Sequence, residues 1–274
     1  MLQNGLTPVT FERHGHRFWR RFTSYEFARH LTECAVVEAE ILQVAAMFPI
    51  AFRMTPVGCQ PVALLSMQVD STTPFVTANG IWLARYLPTA LRCPPFGAGP
   101  ASATSGQQFH LLVDETMGLV TDNPDDVRFF DDAKRLNCDL IKVKSFLFQR
   151  AVAERETLGL CRLIRDLDLL SPLSEVLKAD GPHDLFGIHL QAIHGLRSSH
   201  RVLLTNSRAM RLIHAHQVSL SHVQWLTQIQ DQLTDRSQLQ TSSEVSGFLD
   251  AVVNAQLEEL PFNYDKQEGA HAYA

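Results

Sequence analysis

Nothing in this chain runs apolar for the ~20 residues that a membrane-spanning helix needs. The nearest approach, residues 31–50, is interrupted by Glu33, Glu38 and Glu40, so a soluble protein with no membrane partner is expected. Also missing are a GxSxG elbow, a phosphate-cradling P-loop, a GxGxxG turn, an HExxH helix and a kinase signature. A His-x-Asp pair of the kind an iron oxygenase uses is absent too. These gaps weaken the case for an enzyme and leave the question open. Charge is scarce at 19% of residues, and the net charge of −5 resides wholly in residues 235–274, where seven acids face Arg236 and Lys266. The body before them balances at 22 acidic and 22 basic residues. A neutral body carries no electrostatic footprint for nucleic acid. The five cysteines form no CxxC pair, and no secretory leader is visible at the N-terminus. Reduced thiols and a cytoplasmic location are expected.

What is present reads as an α+β protein. Arg13, Arg17, Arg20 and Arg21, with His14 and His16, give a basic lead-in that reads as solvated surface. Ser24 can cap a short helix over 24–31. Val37, Ile41, Val44, Ala45 and Phe48 keep helical spacing until Pro49 ends the run. A strand is predicted from Ile50, then a turn at Pro56-Val57-Gly58 and a second strand over 61–69, apolar enough to be buried on both faces. Residues 72–77 read as its hairpin partner, Asn79-Gly80 as a turn, and 98–106 as a loop. Residues 109–113 and 117–120 bracket Asp114-Glu115-Thr116 as a second hairpin. Helical signals then dominate. Leu136, Leu140, Val143, Leu147 and Ala151 stripe one long helix, with a break expected near Gly159. Residues 173–177 and 186–193 read as strands, 209–215 as a helix, and Ser221 caps another whose face holds His222, Trp225, Leu226, Ile229 and Leu233. The expected fold is thus a mixed or antiparallel sheet in the N-terminal half, packed by helices, with a helix-rich C-terminal half. The expected domains are an α+β domain over 1–234 and an acidic helical extension over 235–274, disordered beyond 261. Within the extension, 244–260 carries an apolar stripe suited to homo-oligomer contact.

Residues 80–99, GIWLARYLPTALRCPPFGAG, form the most distinctive block. Trp82, Leu83, Tyr86 and Leu87 are spaced for one face of a short helix, which Pro88 stops. This block, the lead-in ERHGHRFW with YEFARH, the run VVEAEILQVAAMFPIAFR, and further echoes in LLVDE, VRFFDD, LFGIHL and IHAHQVSLSHVQWL together resemble the bacterial SapC family. The resemblance covers residues 12–233 in order. Thr73-Pro74-Phe75 and Cys93-Pro94 depart from the family pattern. The resemblance implies a cytoplasmic bacterial product, and brings no catalytic residue set with it.

Tryptophan, tyrosine and arginine dominate binding hot spots, so Trp82, Arg85, Tyr86 and Arg92 are the candidate site. Set against this, Trp82 and Tyr86 can simply staple sheet to helices. The expected function is a non-enzymatic accessory protein that binds a protein or peptide partner. The alternative is a small-molecule-binding protein or enzyme, with a pocket between sheet and helices near Trp82 and Arg92 and the Asp114-Glu115 turn at its mouth. A third reading places a metal on His214, His216 and His222. Residues two apart on a helix face different ways, so these read as surface histidines, and no cofactor is expected. Cys93, beside Arg92, can be read as a nucleophile or as packing, and packing is preferred. The acid pair Asp131-Asp132 reads as a helix-start feature.

Overall fold

The computed structural model describes residues 5–69, 71–100, 109–179, 182 and 184–239. The chain enters as strand β1 (Leu6–Pro8), the single turn α1 (Phe11–His14) and strand β2 (Phe18–Trp19). The helix expected over 24–31 shrinks to a 3₁₀ turn at Glu26–Ala28. Strand β3 (Glu33–Ala35) leads through a 3₁₀ turn and helix α2 (Ile41–Ala45) into β4 (Ile50–Thr55) and β5 (Gly58–Leu64). These last two pair as a hairpin around the turn expected at Pro56-Val57-Gly58, with Thr55 opposite Gly58. Val62, Ala63 and Leu64 are buried in succession, as a strand covered on both faces requires.

Beyond the 80s come β6 (Phe96–Pro100), β7 (Phe109–Asp114), β8 (Val120–Thr121) and β9 (Val127–Arg128). Helix α3 (Cys138–Asp166) follows, capped by the Asn137 side chain, and runs through Gly159 without the expected break. Then come β10 (Leu170–Pro172), α4 (Leu173–Leu177), β11 (Leu185–Ile188), α5 (Leu190–His194), α6 (Ser198–Asn206), α7 (Ala209–Ser219) and α8 (Ser221–Leu239). Residues 173–177, expected as a strand, are a helix: Leu173, Val176 and Leu177 stand at i, i+3 and i+4, the helical period. The loop predicted from 98 begins inside β6, and its remainder, 101–106, lies outside the described residues. So do the acidic helix over 244–260 and the tail beyond 261.

Among the described residues all pairings are antiparallel, in three sheets ordered β1-β7-β6, β10-β11-β4-β5-β3 and β8-β2-β9. The fold is α+β, with most helix in the C-terminal half. Two expected hairpins do not form. Residues 72–77 make only a bridge between Val76 and Trp82. Strand β8 pairs β2, in a different sheet from β7, because the chain turns away through Gly118 at φ 65°.

The larger apolar cluster wraps the five-stranded sheet with α2, α7 and the C-terminal half of α3. A smaller one joins Trp19, Phe96, Val113, Phe129 and Phe130 to Leu140 and Leu147 from the first half of α3. One helix therefore spans both clusters. The chain divides into two units, Met1–Gln230 and Asp231–Ala274, and of the second only residues 231–239 are described. Among the described residues no helix is long and apolar enough to cross a membrane.

Helix α7 supplies an unusual joint. Strands β4 and β11 pair at Leu185–Arg53 and Phe186–Phe52. Continued two pairs further, the register would set Ile188 against Ile50. There the ladder gives way to side chains. The Ile188 amide donates to Nε2 of His216 (3.0 Å), and Nδ1 of His216 donates to the Ile50 carbonyl (2.7 Å). The Ile50 amide is met by Ser219 Oγ (2.9 Å), and the Ile188 carbonyl by Gln217. A carbonyl can only accept and an amide only donate, so this arrangement fixes the imidazole as the neutral Nδ1–H tautomer.

Candidate functional site

The 80–92 segment is irregular. Asn79-Gly80 makes the expected turn, with Gly80 N–H on the Thr77 carbonyl (2.9 Å) and Thr77 N–H on the Ile81 carbonyl (2.9 Å). Gly80 sits at φ 76°, and a Cβ there would meet Ser24 Oγ at 1.8 Å. The helix expected over 82–87 does not form, and only Thr89–Arg92 winds into a 3₁₀ turn. The i, i+4 spacing has another use: the Trp82 indole N–H donates to the Tyr86 carbonyl (3.0 Å).

That bond places Trp82 in an aromatic group, its ring 5.8 Å from Tyr25, 6.1 Å from Phe48 and 6.1 Å from Phe75. Tyr86 donates its hydroxyl to Glu40 (2.7 Å). Glu40 was legible in the sequence only as a charge interrupting an apolar run. It lies buried and accepts four hydrogen bonds, two at each oxygen: Val37 N–H (3.2 Å) and Thr89 Oγ1 (2.7 Å), then Tyr86 Oη (2.7 Å) and Thr89 N–H (2.8 Å). Burial, with the Glu40 contact second, pushes the Tyr86 phenol pKa up. Buried Glu38 likewise takes Arg208 (3.0 Å) and Arg211 (2.8 Å) on its carboxylate. These acids tie distant segments together.

Of the four candidate residues, the structure joins three. Arg92 donates Nε and Nη2 to the Leu87 carbonyl (2.8 and 2.5 Å), and its guanidinium lies 5.2 Å over the Tyr86 ring. Tyr86 in turn carries the Trp82 bond. Arg85 is exposed and belongs to none of the ion pairs among the described residues.

Arg92 also stands on the wall of a cavity of about 470 Å³. Trp19, Phe22, Tyr25, Phe96 and Phe146 give it aromatic walls, with Val143 and Leu147 from α3, while Arg21, Lys142 and Asp139 add charge. Tyr25 links this cavity to the Trp82 group. The sequence reading missed Trp19, Phe146 and Lys142, which lie far from the block along the chain. Asp114 and Glu115 are elsewhere. Asp114 lines a separate groove of about 1010 Å³ beside β6, with Arg150, Glu154 and Gln60.

The acids of the 114–115 turn serve the basic lead-in. Glu115 receives Arg13 at 2.6 and 3.0 Å, Thr7 at 3.1 Å and His14 Nε2 at 3.1 Å, and Arg13 foremost holds its carboxyl down at about 2. His14 is buried, and desolvation lowers its pKa. Arg17 pairs Asp122 (2.9 Å) and Arg21 pairs Asp139 (3.7 Å). The lead-in is therefore stitched to residues 115–139 while Arg13, His16, Arg20 and Arg21 stay exposed as expected, and among its basic residues His14 alone is buried.

The three candidate metal-ligating histidines do not converge. His216 is the buried joint between strands, His222 Nε2 donates to the Ala45 carbonyl (3.1 Å), and His214 lies on the exposed face of α7. The expectation of surface histidines thus fails for His216. Cys93 lines both cavity and groove. Its thiol donates to the Thr89 carbonyl (3.3 Å), and burial raises its pKa. Asp131 caps a turn through Arg135 (2.8 Å) and Asp132 pairs Arg128 (3.1 Å).

The model of the SapC family matches residues 9–226. The chain belongs to the SapC family. No curated protein and no solved structure matches it. The matched segment of this SapC chain holds the cavity, Glu40 with its four donors, and the His216 joint.

Proposed function

We propose that this SapC protein is a cytoplasmic binding protein whose functional centre is the cavity beside Arg92, and that its ligand is a small molecule. The observation that carries the reading is the cavity itself: about 470 Å³, walled by aromatic side chains, with a few charged groups at its edge. Ligand sites have this size and make-up. Binding is favoured over catalysis by the state of the cavity's thiol. Cys93 is held as a thiol by burial and its Thr89 bond, and no histidine lies beside it on the described wall to take its proton.

The test is a thermal-shift screen of a fragment library against wild type and Val143→Trp, which fills the cavity from α3. Compounds that raise the Tm of wild type and not of the variant support the reading. A library with no such compound sinks it.

One observation favours a second reading, the protein or peptide partner expected from sequence. Strand β6 is an edge strand, and the 1010 Å³ groove runs beside it. An extended peptide can add to such an edge through main-chain bonds. On this reading, crosslinking in the native cell places a partner on Gln60 and Glu154; crosslinks elsewhere count against it.

A further inference from the structure

Three buried side-chain polar atoms among the described residues have no hydrogen-bond partner: Arg17 Nε, Glu38 Oε1 and Trp19 Nε1. The first two face opposite charge, Arg17 Nε at 2.9 Å from Asp122 and Glu38 Oε1 at 2.8 Å from Arg211. The Trp19 indole has neither bond nor charge. Trp19 is 3% exposed and lines the cavity. An unpaired buried donor is a cost of folding, and without accessible surface this one offers a ligand no contact.

The charges at the cavity are also unbalanced. Asp139 is shared by Lys142 (3.3 Å) and Arg21 (3.7 Å). Arg92 pairs with no carboxylate among the described residues. Its Nε and one Nη2 hydrogen are spent on Leu87, which together with Tyr86 fixes the guanidinium in place. The Nη1 side of the fork is left without an acceptor. A planar fork of this kind suits a planar carboxylate.

We infer that the ligand of this cavity is an apolar carboxylate, its anionic head on Arg92 and its apolar body against Phe22, Phe96 and Phe146. The inference rests on the cavity being the functional centre. Linear acyl and aryl acids share this chemistry, and aromatic walls accept both.

The experiment titrates full-length protein by calorimetry with dodecanoate and 1-naphthylacetate, each beside its uncharged counterpart, dodecanol or 1-naphthylacetamide. At least one acid should bind ten-fold or more tightly than its counterpart, and which acid does so separates a linear from an aryl ligand. Arg92→Gln, an exposed change that leaves the core alone, should erase that preference. Equal binding of acid and counterpart, or a preference untouched by Arg92→Gln, overturns the carboxylate while leaving the cavity as a binding site. If no probe binds wild type more tightly than Val143→Trp, both readings fall.

Discussion

Tyr86 and Glu40 meet across 2.7 Å, and through that bond the Trp82–Arg92 segment is fastened to the turn that precedes α2. Each Glu40 oxygen is filled twice, so removing the carboxylate strands a phenol, a hydroxyl and two amides together. Glu40→Ala is expected to cost about 3 kcal/mol of stability, within the range for buried bonds to a charged group. Glu40→Gln should cost somewhat less, because its remaining oxygen still accepts two of the four bonds while its amide nitrogen faces donors where an acceptor is needed. Urea denaturation measures both. A change under about 0.5 kcal/mol would mean that solvent replaces the carboxylate freely.

Trp82 and Arg92 belong to one sequence block but do different work. Trp82 packs against Tyr25, Phe48 and Phe75. Trp82→Ala should therefore destabilise by about 3–5 kcal/mol, as large aromatic truncations in cores do. Arg92→Gln should stay within about 0.5 kcal/mol of wild type, as exposed substitutions usually do. Guanidinium chloride unfolding of the two variants separates the roles. Equal losses would make Arg92 a packing residue like its neighbour.

How much of this was legible in the sequence depends on how local each signal is. The β4–β5 hairpin, the long α3 and the pair α7–α8 follow from turn residues and apolar period within one window, and all three form. The 82–87 helix failed although its spacing was right, since the Trp82 indole took the Tyr86 carbonyl. Glu38 and Glu40 read only as charges interrupting an apolar run, because their partners lie far along the chain: Arg208 and Arg211 for the first, Tyr86 and Thr89 for the second. The cavity is the extreme case. Trp19, Arg92 and Lys142 come from three separate segments, and no periodicity joins them. Arg92 was found by residue type alone; Trp19 had no signal beyond being a tryptophan in a basic run.

Gly80 is fixed by two independent constraints, and a pair of variants can separate them. Its φ of 76° disfavours any side chain, and its missing Cβ makes room for Ser24 Oγ. Gly80→Ala is expected to destabilise by about 2 kcal/mol, combining left-handed strain of about 1 kcal/mol with the clash. Adding Ser24→Gly to Gly80→Ala removes the clash and should recover the steric share only. Thermal unfolding of the single and double variants reads the partition. A double variant no better than the single one would place the whole cost in the backbone.

The His216 joint makes stability depend on pH, and the sign follows from its surroundings. Burial holds its folded pKa down at about 4 against an ordinary 6.5, with the bond to the Ile50 carbonyl opposing only in part. Above 6.5 the imidazole is neutral in both folded and unfolded chains, so this group adds no slope. Between 6.5 and about 4 the unfolded chain takes up a proton that the folded chain refuses, and stability falls by about 1.4 kcal/mol per pH unit. The loss from this group amounts to about 3 kcal/mol across that window and levels off below it. His14, whose pKa is also lowered by burial, adds a slope of the same sign. His216→Gln keeps one donor and one acceptor for the Ile50 carbonyl and the Ile188 amide but cannot titrate. It should fold and show a shallower pH dependence than wild type between pH 6.5 and 4 in urea titrations at fixed ionic strength. Identical slopes for the two proteins would show that the imidazole is protonated in place, and that the strands separate there without cost.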